Sequence, residues 1–375
     1  MKILVTGGAG FIGTHLTRRL LHEGCAVSVL DNFSSQVHAE APELAPDLIG
    51  HVELIRGDVR DPVLVSLALD KQDVVVHLAA ETGTGQSMYE VMRYQDVNIG
   101  GTAVIMNCLV NNKKSRLSKV VVASSRAVYG EGKYRCGEHG VVYPGGRKLE
   151  DMQARQYEPC CPVCKAACHP EPTTEDSPNR PLSFYGLTKQ VQEEMILMFA
   201  HAYGFSAYGL RYQNVYGPGQ SLHNPYTGIL AIFSSLARSN STIQIFEDGQ
   251  ESRDFVFVED AVEATWSCIK GQTGFVEPFN VGTGKRTSVL QVAKEIVKYF
   301  GSGSKISITG GFRQGDIRHN FADLSKIRRA IGFTPRFEFG EGLKQFLAWA
   351  EGQDQSSAGY ESSLCEMRDR GLLHG

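Results

Sequence analysis

Short apolar runs recur along the first 125 positions, each followed by a stretch in which apolar residues return every third or fourth place. Residues 2–6, 26–30, 52–55, 74–78 and 119–124 are rich in Val, Ile and Leu and bounded by turn residues, so they read as strands. Residues 11–23, 62–69 and 91–111 read as helices between them. Repeated strand–helix–strand units predict an α/β protein with a parallel sheet covered on both faces, its ligands lying at the carboxyl ends of the strands. The same rhythm resumes with a helix from Tyr185 to Tyr203 and a strand at 206–211. Beyond about Gly217 the strands shorten and loops rich in Gly and Pro separate the helices. This divides the chain into a Rossmann-type doubly wound domain over 1–216, a smaller C-terminal substrate lobe over 217–351, and a tail over 352–375. The tail mixes Ser, Gly, Glu and Asp and is expected to be poorly ordered. Residues 131–178 fit neither lobe. They are rich in Cys, Pro, Gly and charge, show little periodicity, and read as an insertion with its own means of staying folded.

Composition narrows the class. In 375 residues, 42% are apolar and 21% charged, as in an ordinary soluble enzyme, and the net charge of −3 argues against nucleic acid or an anionic membrane as a bulk partner. The apolar run at the N-terminus stops at Gly7-Gly8, and no later run approaches a membrane span, so no membrane partner and a cytoplasmic location are expected.

Two motifs carry chemistry. Gly8-x-Gly10-x-x-Gly13 follows a strand and opens a helix, the setting in which glycines admit a pyrophosphate to the helix N-terminus. Asp31 ends the second strand. A carboxylate there accepts hydrogen bonds from a ribose and repels a 2′-phosphate, which favours NAD over NADP. Asp58, in Gly57-Asp58-Val59, could read the adenine or could simply cap the following helix. In Tyr185-Gly-Leu-Thr-Lys189 the tyrosine and lysine lie four apart on one helical face. An ammonium beside a phenol is expected to lower the phenol's pKa, making it a base for an alcohol proton.

Together with His77-Leu78-Ala79-Ala80 and Ser124-Ser125-x-x-Val128-Tyr129-Gly130, these motifs resemble the extended short-chain dehydrogenase/reductase superfamily, and within it the NAD-dependent nucleotide-sugar epimerases and dehydratases. The resemblance implies that Ser125, Tyr185 and Lys189 are catalytic. It implies that Gly7, Gly10, Phe11, Ile12, Gly13, Asp31, Asn32, Ser34, Asp58, Val59, Leu78, Ala79 and Ala80 join Tyr185 and Lys189 around NAD. For a nucleotide-diphosphate sugar it implicates Ser87, Arg126, Asn214, Arg253 and Arg313, although either of the last two could instead be a surface ion pair. A 4,6-dehydratase of this family carries Thr-Asp-Glu where this chain has Ser125-Arg126-Ala127. Without that acid and base, transient oxidation at sugar C4 leads to 4-epimerisation. The segment from Thr82 to Tyr89 and the insertion resemble those of epimerases that convert dTDP-L-rhamnose to dTDP-6-deoxy-L-talose. A UDP-hexose substrate, net reduction of a 4-keto sugar and a non-catalytic NAD-binding regulator are the alternatives. By the same analogy two helices, 91–111 and 184–203, pair copies into a homodimer, though core packing would equally explain their apolar residues.

Five of the nine cysteines lie between residues 136 and 168. Cys136-x-x-His139 and Cys161-x-x-Cys164 have the spacing of two knuckles that fill a closed tetrahedral site, so the insertion reads as a structural zinc module. Cys160, Cys168 and His169 are alternative ligands, and unmetallated thiols or disulfides the competing readings.

Overall fold

The computed structural model describes residues 1–38, 43–112, 115–222, 224, 228–353 and 358–375. Seven parallel strands form the central sheet: β1 (Lys2–Thr6), β2 (Ala26–Asp31), β3 (Glu53–Arg56), β4 (Val74–His77), β5 (Lys119–Ser125), β6 (Ser206–Tyr212) and β7 (Val276–Val281). Their spatial order is β7-β6-β5-β4-β1-β2-β3, so strand order reverses between β1 and β4. That reversal opens a crevice at the carboxyl ends, where doubly wound sheets bind ligands. Helices α1 (Phe11–His22) and α2 (Pro62–Leu69) follow β1 and β3, and Asp61 caps α2 by accepting from the Val63 and Leu64 amides. The helical run before β5 is not uniform: Val91–Tyr94 passes through a π-helical stretch, Gln95–Gly100, into α3 (Gly101–Asn111). One apolar cluster lies on each face of the sheet, the larger including Ile3, Val29, Val76, Val121 and Leu210.

Helix α4 (Phe184–Tyr203) begins at Ser183, whose hydroxyl accepts from the Gly186 amide, and ends at Gly204 in the left-handed conformation. A Cβ at Gly186 would lie 2.7 Å from the Ala127 carbonyl, so glycine lets the start of α4 pack directly on the turn after β5.

The division at residue 217 is corrected by the topology. After Gly217 the chain enters the smaller lobe, with its own core around Phe233, Ile245, Phe257 and Phe346. It then returns through α5 (Val258–Lys270), which packs against α1, to supply β7 at the sheet edge. The lobe is therefore interleaved with the sheet domain. The tail is corrected as well. Ala358–Asp369 forms a helix, α6, and Leu373–His374 pairs antiparallel with Phe312–Arg313. Ser363, Met367 and Leu373 are buried, which supplies the packing that a disordered tail would lack.

The insertion is a three-stranded sheet of Tyr134–Cys136, Gly140–Val142 and His169–Pro170, with a short helix at Leu149–Gln153. Its apolar core is Tyr134, Val142, Cys136, Cys161 and Cys168. So small a core cannot offset the conformational entropy of a segment this long.

Candidate active site

A cleft of about 810 Å³ lies across the crevice between β1 and β4. Every residue expected to surround the dinucleotide lines it, except Asp58. Asp58 instead bonds Arg60 and Asn32, and Arg60's two hydrogen bonds hold its carboxyl down at about 2.

The glycine loop fits a pyrophosphate. A Cβ at Gly13 would sit 2.3 Å from the Gly7 carbonyl, so only glycine lets α1 start this close to the loop. Gly10 caps α1 without any side-chain bond to the helix, leaving the first amides of α1 to the cleft. Asp31 Oδ2 accepts from the Ala9 amide at 3.0 Å and Oδ1 from the Phe33 amide at 2.8 Å. The carboxylate thus ties the loop to the end of β2, and each oxygen keeps a lone pair for a ribose hydroxyl.

Ser125 ends β5 and its Oγ accepts from the Ala127 amide; Tyr185 and Lys189 stand on the first turns of α4, and all three line the cleft. Lys189 Nζ donates to the Ala123 carbonyl at 2.9 Å. Burial brings this ammonium down to about 7. Burial raises the Tyr185 phenol, while a hydrogen bond with Ser125 and the charge of Arg126 pull it back. The expected lowering by Lys189 is therefore corrected: in the protein alone the stabilising cation is Arg126. His77, next to the cleft, is fully buried among Thr6, Thr102 and Gln192, and burial lowers it to about 3, so it serves as a neutral link in the core.

A second cavity of about 370 Å³ adjoins the first at Ser125 and Tyr185 and contains Arg126, Asn214, Arg253 and Arg313. Arg126 Nε donates to Asn214 Oδ1 at 2.7 Å. Its Nη1, and Nε of Arg313, are buried with no hydrogen-bond partner among the described residues. Buried guanidinium donors left open are a site for anionic oxygens. Arg253 Nη2 pairs with Asp316 at 3.0 Å. Burial would raise Asp316, but Arg253, Arg313, Arg147 and Arg126 outweigh it and keep its carboxylate charged. Glu251, at the same cavity, is pushed up to about 8 by burial and by Glu247.

Ser87 does not reach either cavity, which corrects its assignment to substrate. It is fully buried, donating to the Thr84 carbonyl and accepting from the Tyr185 amide at 2.9 Å. Its hydroxyl fixes the backbone of the tyrosine. Sequence reasoning missed Leu182, Met367 and Leu372, which close the second cavity on its apolar side. The signal for Met367 was slight, one buried apolar position in a largely polar helix, and Leu372 lies beyond that helix with no periodicity to mark it.

In the insertion, Cys136, His139, Cys161 and Cys164 place one ligand atom each within 4.8 Å of all the others. Cys136 Sγ is 3.6 Å from Cys164 Sγ and 3.7 Å from His139 Nδ1, and Cys161 Sγ is 3.8 Å from that nitrogen. Tetrahedral zinc with bonds of about 2.3 Å to sulfur and 2.0 Å to nitrogen needs separations of about 3.5–3.8 Å. The donor set therefore fits the metal. All nine cysteines are free thiols. The ligand atoms of Cys160, Cys168 and His169 lie outside the four-ligand group: Cys160 is turned to the Glu158 carbonyl and Cys168 to the Ala166 carbonyl.

Compared with known proteins, the chain matches the NAD dependent epimerase/dehydratase family over residues 3–145 and 160–282, and it belongs to that family. A dTDP-L-rhamnose 4-epimerase of Burkholderia thailandensis is 37% identical over 350 residues, which cover 93% of this chain and 94% of that protein. Among solved structures, UDP-glucose 4-epimerase with UDP-glucose from Thermotoga maritima has a TM-score of 0.76 at 29% identity, covering 94% of this chain and 99% of that one. UDP-glucose 4-epimerase of Thermus thermophilus, in complex with NAD, has a TM-score of 0.74 at 27% identity, covering 94% and 100%. The resemblance drawn from the motifs is borne out. Among the described residues, no helix is long and apolar enough to cross a membrane.

Proposed function

We propose that the protein is an NAD-dependent nucleotide-sugar 4-epimerase. The observation that carries this reading is the junction of two cavities at Ser125 and Tyr185, one suited to a dinucleotide and the other rich in arginine. Bound NAD supplies the hydride acceptor and donor of the cycle, held by the glycine loop, Asp31 and Lys189. Tyr185 takes the proton of the sugar 4-hydroxyl and later returns it, with Ser125 bonded to the same oxygen and Arg126 favouring the phenolate. The open donors of Arg126 and Arg313, with Arg253 and Asn214, hold the diphosphate. Arg126 and Ala127 cannot serve as the acid and base of dehydration.

The substrate we favour is dTDP-L-rhamnose, giving dTDP-6-deoxy-L-talose. The named relative from Burkholderia thailandensis supports it, as does the apolar side of the second cavity, where Met88, Leu182 and Met367 suit a C6 methyl. The second reading, a UDP-hexose, is supported by the UDP-glucose 4-epimerase neighbours. Incubation with each nucleotide sugar, followed by proton NMR, reads C4 inversion directly. Turnover of UDP-hexoses but not of dTDP-L-rhamnose overturns the first choice. Tyr185→Phe should lower turnover about 10²–10⁴-fold while NAD still binds; retained activity would assign the base elsewhere.

We further propose that Cys136, His139, Cys161 and Cys164 hold one structural zinc ion, with every ligand position filled by protein. Elemental analysis of protein purified without chelator should find one zinc per chain, and none would remove the idea. The enzyme is taken as cytoplasmic and homodimeric. Val91, Met92, Leu187 and Met198 are exposed apolar residues on the two helical runs expected to pair. Light scattering of Met198→Glu should show a monomer where the wild type is a dimer.

A further inference from the structure

The insertion does more than sit beside the substrate cavity, because it packs behind the strands that carry two of its arginines. Arg253 lies on the strand Ser252–Arg253, which pairs in parallel with His319–Asn320. The side chains just ahead of and within that neighbouring strand are held by one carboxylate of the insertion. Glu158 Oε1 accepts from Arg318 at 2.8 and 2.6 Å, and Oε2 lies 3.1 Å from His319 Nε2. Arg318 is almost completely buried, and its carbonyl in turn accepts from Arg253 Nη1 and from the Ser252 amide. Two further residues of the insertion reach the same place. Glu131 accepts from the Arg318 amide, and Arg147 donates to the Asp316 carbonyl at 2.9 Å while pairing with Glu247. The Asp316 carboxylate is the direct partner of Arg253. Arg313 is backed in the same way: Phe312, its neighbour on the strand, packs with Met152 and Tyr157 of the insertion, and the Tyr157 hydroxyl donates to the Gly310 carbonyl.

Removing Glu158 leaves the Nε donor of buried Arg318 without its acceptor, which is costly. Arg318 would then be held by Glu247 and Asp248 alone, and a shift of its side chain toward them would be felt at the carbonyl that accepts from Arg253. The elements holding Glu131 and Glu158 in place are those joined at the thiolate cluster. Tyr134 bonds Glu131 and lies two residues before Cys136, and Glu158 lies three residues before Cys161.

We propose that the metal-held insertion is a brace for the diphosphate-binding arginines, so that the metal and Glu158 set nucleotide affinity without touching the nucleotide. The proposal rests on the zinc and nucleotide-sugar readings above. Glu158 is a positioning residue: it lines neither cavity.

The test uses the full-length protein as purified, with dTDP and UDP as calorimetric probes and zinc and bound NAD measured on each sample. Glu158→Ala should keep zinc and NAD yet weaken binding of the diphosphate about tenfold, the scale of one lost charge-assisted orientation. Glu158→Asp should recover part of that loss. If the wild type turns over a nucleotide sugar, KM should rise in Glu158→Ala with kcat within about twofold. Cys161→Ser should lose zinc and show at least the same weakening, with NAD binding reporting that the sheet domain remains folded. Unchanged diphosphate affinity in zinc-containing Glu158→Ala, or in zinc-free Cys161→Ser, overturns the brace while leaving the metal and the epimerase readings standing. Absence of zinc from the wild type overturns the metal reading and the brace with it. Failure to bind either diphosphate overturns the nucleotide-sugar reading, and the brace falls with it too.

Discussion

The NAD-type cleft and the cysteine insertion impose order on side chains by different means. Around the cleft, position comes from a large sheet. Gly7, Asp31, Leu78 and Ser125 stand at or just beyond the ends of four neighbouring strands, and two apolar clusters fix those strands from both faces. In the insertion the apolar cluster around the thiolates is five residues, three of them cysteines, and two of these, Cys136 and Cys161, are themselves proposed ligands. A site built on a sheet survives the loss of its ligand; a site that is itself the core does not.

The strongest attempt to break that contrast is metal removal. Structural zinc contributes about 10–16 kcal/mol to the folding of small metal-bound modules. Chelation should therefore collapse amide-exchange protection in residues 134–142 and 160–170 by several orders of magnitude, while β5 and β6 keep theirs. Equal loss in both regions would mean that the insertion is integral to the sheet domain.

A smaller effect probes the cleft. Burial lowers Lys189 from an ordinary 10.5 to about 7. A base with a depressed folded-state pKa binds fewer protons folded than unfolded between those values, so its contribution to stability rises with pH across about 7 to 10.5. In cofactor-free protein, moving from pH 7 to 9.5 should stabilise the wild type relative to Lys189→Met by on the order of 3 kcal/mol, measured by urea denaturation. Parallel profiles would mean that Lys189 is hydrated in solution.

This contrast also governs what the sequence reveals. Strands β1 to β6 were legible because each carries a short stretch rich in apolar residues between turn residues. β7 was not, because Glu277 and Pro278 interrupt it; at the sheet edge, paired only with β6, proline's missing donor does no harm. The four metal-type ligands were legible because local spacing fixes knuckles before tertiary structure exists. Ser87 misled because a serine in a glycine-rich loop reads as a ligand contact, whereas its partner is the Tyr185 backbone, 98 positions away. The tail misled because its stripe of buried residues is too thin to register as a period. Lys189 misled because helical spacing shows which face a side chain takes but not what burial costs its charge.

Two substitutions of one atom or so mark the lower end of the comparison. Gly13→Ala puts a methyl 2.3 Å from the Gly7 carbonyl, and overpacking of this kind costs about 1–3 kcal/mol. Calorimetry should find NAD binding weakened and zinc content unchanged; unaltered NAD affinity would mean that the loop yields more readily than its packing suggests.

Cys160→Ser should do least. Its thiol is exposed, lies outside the four-atom cluster, and makes only a long contact to the Glu158 carbonyl. Surface changes of this kind fall within about 0.5 kcal/mol. Zinc stoichiometry and the melting temperature should match the wild type, whereas Cys161→Ser, one position along, should lose the metal. If Cys160→Ser also loses zinc, the ligand set must be redrawn around Cys160, and the contrast between one sulfur and its neighbour disappears.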